Sequence, residues 1–509
     1  MNESSSGSLY AAREPIFPKR VSGKFRQLKW WILGITLAIY YITPWIRWDR
    51  GPSLPDQAVL VDLAHRRFYF FWIQIWPHEF YFVAGLLIMA GIGLFIFTSA
   101  LGRVWCGYAC PQTVWTDLFI LVERWIEGDR NARVRLWNAP WSARKARLRL
   151  TKWLVWLMIA VATGGAWIFY FADAPTLLRD FLTFQAPVVA YSTVAVLTAT
   201  TFIFGGFMRE QICIYMCPWP RIQAAMMDPD TLTVAYRDWR GEPRGKGMRR
   251  RAAAAETYAG GETGGRRSPV IPVPGLAQAA AAPVPARETP GDCIDCNACV
   301  NVCPMGIDIR DGQQMACITC ALCIDACDEV MVKIGKPRGL IDYLALSDEP
   351  RERAGEPPRP IRQHVFRFRT LLYTAIWAVF GLGLLWALFV RPEIDVTVSP
   401  IRNPQFVTLS DGAIRNAYDI RLRNKHGDER PFRIVLPEGS GLALTLEGAS
   451  GNEVIVPADM TALHRVYVTA PAGSAPASAD ASPVSFRITE PVSGESVEVG
   501  SVFNGKGSE

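Results

Sequence analysis

Histidine is scarce in this 509-residue chain: there are five, His65, His78, His364, His426 and His464, and no two are paired at helical spacing. That gives no footing for a haem held by two histidines or for a Rieske-type centre. Charge is also thin, at 20% of residues, while 50% are hydrophobic and the mean hydropathy is +0.12. A chain this long and this apolar is not an ordinary soluble protein. The 54 Lys and Arg leave a formal net charge of +7 and gather beside apolar runs, which suits anionic lipid headgroups and not nucleic acid. Residues 1–29 are polar and basic, with no early apolar core and no small-residue cleavage site, so a cleaved signal peptide is not expected. None of the 12 cysteines stands apart from a tight cluster, the pattern of metal or redox sites in a reducing compartment, so structural disulfides are not expected either.

What the chain has in abundance is long uncharged apolar runs. Five stand out, at 30–46, 80–101, 153–172, 186–208 and 371–390, each close to the ~20 residues that cross a hydrocarbon core as helix. The first is short and carries Pro44; the aromatic stretch 68–76 reads as interfacial, with Trp45, Trp48, Trp72 and Trp76 as belt residues. Basic residues crowd the N-terminal tail and the loop after the second run, from Arg103 to Lys152, which predicts both on the cytoplasmic side. Five crossings then put residues 209–370 in the cytoplasm and the C-terminal region outside. Arg103 and Arg209 are expected at lipid headgroups, and the methionines of the apolar helices as packing.

The expected fold class is a multi-domain membrane protein: an α-helical transmembrane bundle of about five spans, a cytoplasmic two-cluster ferredoxin-like domain, and a C-terminal all-β immunoglobulin-like sandwich. Its segments are a basic tail (1–29), spans one to four (30–240), a flexible Ala, Gly, Pro and Arg-rich linker (241–291), the ferredoxin-like domain (292–345), a connector (346–370), the fifth span (371–390) and a periplasmic immunoglobulin-like domain (391–509). The last rests on alternation such as Asp395-Val396-Thr397-Val398 and Arg465-Val466-Tyr467-Val468, with turn residues between, over roughly a hundred residues.

Two cysteine runs lie in the segment 292–345. Cys293, Cys296, Cys299 and Cys303, followed by Pro304, give C-x2-C-x2-C-x3-C-P, and Cys317, Cys320, Cys323 and Cys327 repeat the spacing, with Asp328 in place of Pro. This is the run of bacterial two-cluster ferredoxins, in which the fourth cysteine of each run serves the other cluster. One 4Fe-4S cluster is then expected on Cys293, Cys296, Cys299 and Cys327, the other on Cys317, Cys320, Cys323 and Cys303. Four-thiolate zinc sites are the competing reading, although they usually separate their cysteine pairs by a longer loop.

The remaining cysteines form an internal repeat. Phe95-Ile96-Phe97 and Cys106-Gly107-Tyr108-Ala109-Cys110-Pro111 recur as Phe202-Ile203-Phe204 and Cys213-Ile214-Tyr215-Met216-Cys217-Pro218. Residues i and i+4 share a helix face, so each pair can aim two sulfurs at one point, and pseudo-symmetry would bring four together. Soft thiolates favour Cu(I), zinc or an iron–sulfur centre, and a dithiol can cycle through a disulfide. A buried cysteine is often only a small packing residue; four in a duplicated motif argue for chemistry.

Taken with residues 16–23, 217–223, 240–245, 292–296, 306–310 and 317–328, the motif Trp105-Cys106-Gly107-Tyr108-Ala109-Cys110-Pro111-Gln112 resembles the CcoG, FixG or RdxA family of cytochrome c oxidase accessory proteins, over nearly the whole chain. Met305 stands where that family usually has Thr, and 250–288 looks like an insertion. The resemblance implies an inner-membrane protein that reduces Cu(II) to Cu(I) for assembly of a cbb-type haem-copper oxidase. Copper carriers and oxidase assembly factors are its implied partners. Cys106, Cys110, Cys213 and Cys217 would then be the catalytic, copper-binding group. The alternative is a quinol-linked electron-transfer subunit like NapH, delivering electrons to another redox protein; a non-catalytic scaffold is a third reading. The donor, cytoplasmic or quinol, is not written in the residues.

Overall fold

The computed structural model describes residues 15–51, 54–245, 291–390, 394–426, 428–437, 439–448, 451–458 and 460–507. The expected linker lies almost wholly outside the described residues. The chain divides into two compact units, each discontinuous in sequence: 1–43, 81–169 and 177–381 form one; 44–80, 170–176 and 382–509 form the other. The segments read as the bundle and as the ferredoxin-like domain thus fall largely in one unit.

Four helices, Pro77–Leu101, Ala143–Ile168, Val188–Met208 and Phe368–Val390, are long and apolar enough to cross a membrane. The first run read as a span lies on helix α1 (Lys24–Ile42), which does not join them. Helix α1 opens on Lys24, Arg26 and Lys29 and gives way at Thr43–Trp45 to a single tight turn, so no span-length stretch of it is as apolar as in those four. Its start is held from elsewhere. Asp325 accepts from the backbone N–H of Phe25 (3.3 Å) and Arg26 (2.8 Å), satisfying two of the orphan donors of the first turn. Gly23 permits this, because a Cβ there would meet the Asp325 carboxyl carbon at 2.2 Å.

The helices that follow are α2 (Tyr81–Leu101), α3 (Val104–Tyr108), α4 (Pro111–Glu127), α5 (Arg130–Asn138) and α6 (Ala143–Ile168). Helix α4 carries Asp117, Glu123 and Glu127, and these collect cations that composition alone assigned to the membrane surface. Asp117 holds Arg26 (2.9 Å) and Lys29 (3.7 Å) of α1. Glu123 holds Arg133 (2.6 Å), Arg209 (2.7 Å) and Lys152 (3.3 Å), and Glu127 holds Lys152 (2.9 Å) and Arg149 (3.3 Å). The placement of Arg209 at headgroups is therefore corrected: it is an internal cation, and it also lies over the Trp156 ring. Beside it Phe119 and Trp156 stack at 5.3 Å, and Gly205 and Gly206 leave room for those rings.

Burial pushes the Glu123 carboxyl up, but Arg209, then Lys152 and Arg133, outweigh it and hold it at about 2, below the ordinary 4.5. The stability this group contributes is complete above about pH 4.5 and is lost as pH falls toward 2. Glu123→Ala leaves three buried cations without their shared partner. It is expected to cost about 3–5 kcal/mol, read as a lowered thermal midpoint of the detergent-solubilised protein at pH 7.

In the second unit, two antiparallel sheets make the expected sandwich. One runs Ala443–Leu446, Thr461–Ala470, Ile414–Arg423, Asp395–Pro400, with Val407–Thr408 also paired to Ile414–Arg423; the other runs Glu453–Val456, Arg430–Val435, Ala481–Thr489, Ser496–Asn504. Alternate residues fill the space between, among them Ile420, Leu422, Ile434, Val466, Phe486 and Ile488. The aromatic stretch read as interfacial contributes to a three-stranded antiparallel sheet, Val59–Asp62, Arg67–Phe70, Ile73–Ile75. Trp76 leaves the belt assignment: it is buried, with Arg67 at 4.1 Å and Arg423 at 5.2 Å from its ring.

Candidate redox centre

Each membrane cysteine motif begins at a break after a long apolar helix. Helix α2 ends at Leu101 and the chain turns at Gly102, with φ +61°; Val188–Met208 ends in π-helical turns and the chain turns at Arg209, with φ +33°. Gly102 and Arg209 stand at the same offset as Cys106 and Cys213, so the repeat extends to the backbone. At the first turn glycine meets the left-handed conformation without cost; at the second a β-carbon-bearing residue is held in it.

The cysteines do not sit on one face of a continuous helix, as the spacing predicted. Cys106 is in α3, whereas Cys110 is the residue before α4, where Pro111 opens the helix. Cys213 lies in the π-helical turn Ile212–Met216, and Cys217 follows it in extended conformation. In both halves a wide turn closes on the second cysteine, from Cys110 N–H to Trp105 O (2.9 Å) and from Cys217 N–H to Ile212 O (2.8 Å). Proline after each second cysteine cannot continue the preceding helix, so the chain must leave it there.

Cys106 lies within electrostatic range of Cys110 and Cys217, and Cys213 within range of Cys110, Cys106 and Cys217. Burial pushes the Cys106 thiol up to about 11, against the pull of Arg103, and the Cys213 thiol up to about 12. Gln223 and Gln112 frame the group. The Cys106 S–H donates to Gln223 Oε1 (3.1 Å), and Gln112 donates across to the carbonyls of Phe204 (3.0 Å) and Arg209 (3.2 Å) of the second half. Among the described residues no three of His, Cys, Asp or Glu are drawn together as a single-ion cage.

The eight ferredoxin cysteines sort into two groups. Cys327 senses Cys299, Cys293 and Cys296, whereas Cys303 senses Cys320 and Cys317, and Cys323 senses Cys320, Cys317 and Cys303 ahead of Cys299 of the first run. A cubane takes one thiolate per iron, and each set supplies four cysteines. Two further features fit such a group. Asp295 and Asn297 in the first run, and Thr319 and Ala321 at the same positions of the second, have positive φ, the loop conformation that turns successive N–H groups toward an anion; the Thr319 N–H meets Cys317 Sγ at 3.4 Å. A cavity is lined by Cys303, Cys317, Cys320 and Cys323 with Ile307 and Leu322. When bound, the clusters supply one-electron transfer.

Local packing explains the departures from the ferredoxin pattern. Asp328, in the helix Leu322–Lys333 where the pattern has Pro, accepts from the Gly339 N–H at 2.9 Å. Met305 is buried in the same apolar cluster as Cys106 and Cys320. The strand Ile341–Leu344 pairs with Thr233–Tyr236, from the far side of the linker, beneath the first group. Arg310 ties the first loop together, donating to Asp295 (2.7 Å), Asn297 (2.5 Å) and Asp308 (2.6 Å) around the exposed Cys296. Arg310→Ala is expected to lower iron and acid-labile sulfide by about one cluster's worth, and the surviving paramagnetic signal should be that of the other group.

The two sets of cysteines meet. Gly107 lies against the second run so closely that a Cβ would stand 2.6 Å from the Ile318 carbonyl oxygen and 3.0 Å from the Cys320 Cα. The Tyr108 hydroxyl donates to Cys320 O at 3.1 Å. Cys106, Cys213, Cys303, Cys320 and Cys323 share one packed cluster. Arg103 is also here: it is buried, bonded to Met315 O, and its expected place at headgroups is corrected. The roles of Gly107, Tyr108, Gln112 and Gln223 were not read from sequence; their only signal was nearness to the cysteine motifs.

Residues 208–264 and 277–346 match the family described as a 4Fe-4S dicluster domain, residues 82–130 a 4Fe-4S binding domain, and residues 384–506 an immunoglobulin-like fold at the C-terminus of FixG. Protein RdxB of Cereibacter sphaeroides is 63% identical over 506 residues, covering 99% of both chains. Protein RdxA of the same organism is 59% identical, covering 98% of this chain and 99% of its own. The nitrogen fixation protein FixG of Rhizobium meliloti is 51% identical, covering 92% and 88%. A crystal structure of a FixG-related protein from Vibrio parahaemolyticus aligns over 23% of this chain and 99% of its own, at 15% identity and a TM-score of 0.19.

Proposed function

Because this chain belongs to the FixG/RdxA family of iron–sulfur membrane proteins, we propose that it reduces Cu(II) to Cu(I) for assembly of a cbb-type cytochrome c oxidase. The observation that carries this reading is the packing of Cys106 and Cys213 against the Cys303, Cys320 and Cys323 group. A soft thiolate site beside a one-electron donor favours Cu(I) over Cu(II), so the ligands that receive the ion also favour its reduced state. One electron from a low-potential donor converts each Cu(II) to Cu(I). Cys296 is the exposed member of the first group and marks the side from which a donor reaches it.

The charge distribution supports a bacterial inner-membrane location with the cluster region cytoplasmic and the sandwich periplasmic. Copper carriers and oxidase assembly factors are the partners in this reading. The test is anaerobic mixing of fully reduced protein with Cu(II). The Cu(II) paramagnetic signal should vanish as the reduced-cluster absorbance bleaches, one electron per ion; persistence of the signal would contradict the assignment.

One observation favours a second reading. The 82–130 segment, which holds Cys106 and Cys110, matches a 4Fe-4S binding domain, and the quartet is not drawn in as a single-ion cage. A centre of that kind would suit an electron-transfer subunit like NapH, with a quinol donor and a protein acceptor. Quinol-driven cluster reduction in liposomes without copper would favour it.

A further inference from the structure

The duplicated motif is not symmetric in charge. Arg103 and Glu210 occupy the same position of the repeat, one residue past the turn, and both are buried. Arg103 lies on the side facing the ferredoxin cysteines. It is only 3% exposed and bonds to the carbonyl of Met315, two residues before Cys317. It is the residue before the short helix that carries Cys106, and its carbonyl accepts from the N–H of Gly107 (3.2 Å), the glycine that rests on the second ferredoxin run; its charge pulls the Cys106, Cys213 and Cys317 thiols down. Its Nε–H is buried without an acceptor, and among the described residues no carboxylate pairs with it.

An unpaired buried guanidinium is costly, because arginine stays charged in any protein environment and its desolvation is not repaid. Several other internal cations of this unit show the usual solution: Arg26, Arg133, Arg209 and Lys152 each meet a carboxylate. Arg103 has sulfur in that place. Thiolates and the sulfur centres they hold are anionic and grow more negative by one charge on reduction, so they are the counter-charge the site has room for.

We propose that Arg103 is a positioning residue for electrons: a fixed positive charge shared between Cys106 and Cys213 on one side and the Cys317 group on the other, favouring the reduced state of both. This rests on the reading that the eight cysteines hold two clusters and that electrons leave toward the quartet. A charge on the shared boundary acts on the Cys317 group more than on the Cys296 group, which lies beyond it. It lowers the free energy of an electron where the two centres meet.

The test is a redox titration of full-length Arg103→Gln and Arg103→Lys, followed by electron paramagnetic resonance. Arg103→Gln should make one of the two cluster potentials more negative by at least a tenfold change in the reduced-to-oxidised ratio, which is 59 mV for one electron. The other cluster should move by less than twofold, and Arg103→Lys should restore most of the change. Intact clusters with unmoved potentials, equal shifts in both, or a Lys variant as displaced as Gln would each overturn the proposal. Should Arg103→Gln lose its iron, the Lys variant carries the test: a ratio within threefold of the parent agrees with a role for charge, and a tenfold shift contradicts it. Parent protein that assembles no cluster would overturn the reading beneath the proposal and not the role of Arg103.

Discussion

With Cys106, Cys110, Cys213 and Cys217 all changed to Ser, Cu(II) reduction is expected to fall by about a hundredfold or more while both cluster signals keep their intensity. The magnitude follows from what is removed. Loss of a mere supporting partner of a metal ligand costs about 10–100-fold, and here the ligands themselves go. Serine preserves the size of each side chain but replaces a soft donor with a hard one, which no longer favours Cu(I). Fold and clusters should survive, because none of the four contributes to the two ferredoxin groups. Pairwise variants sharpen the result: Cys106→Ser with Cys110→Ser, and Cys213→Ser with Cys217→Ser, should each fail nearly as badly as the quadruple change if all four sulfurs act together. A pair that works alone would point to an independent dithiol.

The second large effect concerns Gly107. Its α-carbon faces backbone, not a movable side chain: the Ile318 carbonyl and the Cys320 Cα. Gly107→Ala must therefore push the loop of the second ferredoxin run away from the first membrane motif. Overpacking of this kind costs about 1–3 kcal/mol, so the packed arrangement should fall in population by roughly five- to a hundredfold. The expected outcome is two intact clusters that reduce copper at least about fivefold more slowly, measured by stopped-flow bleaching on addition of Cu(II). The equivalent position in the repeat is Ile214, which already carries a side chain and packs partly buried at the same cluster; Ile214→Ala should disturb transfer far less. Equal effects at the two positions would show that the close backbone contact is not what joins the centres.

Much of this architecture is legible in the sequence because its signals are local. The ferredoxin runs declare themselves by spacing, the sandwich by alternation, and four of the long helices by unbroken apolar length. What stayed hidden depends on partners far along the chain. Nothing about Lys152, Arg133 or Arg209 distinguishes a cation at a headgroup from one buried against Glu123, since the glutamate lies on another helix. The strand Thr233–Tyr236 is four residues long and pairs with Ile341–Leu344 beyond the linker. The membrane motifs suggested two sulfurs on one helix face; the turns at Gly102 and Arg209 and the prolines after Cys110 and Cys217 break the helices instead. Gly107 read as one letter of a motif, and its meaning lies in the loop that rests on it.

Copper K-edge absorption on fully reduced protein given one equivalent of Cu(II) most directly interrogates the claim that the membrane-end quartet receives the electron and keeps the ion. The account predicts a Cu(I) edge with a first shell of sulfur, absent from the four-serine variant. A Cu(II) edge, or Cu(I) in a shell of nitrogen and oxygen that survives loss of all four cysteines, would contradict it.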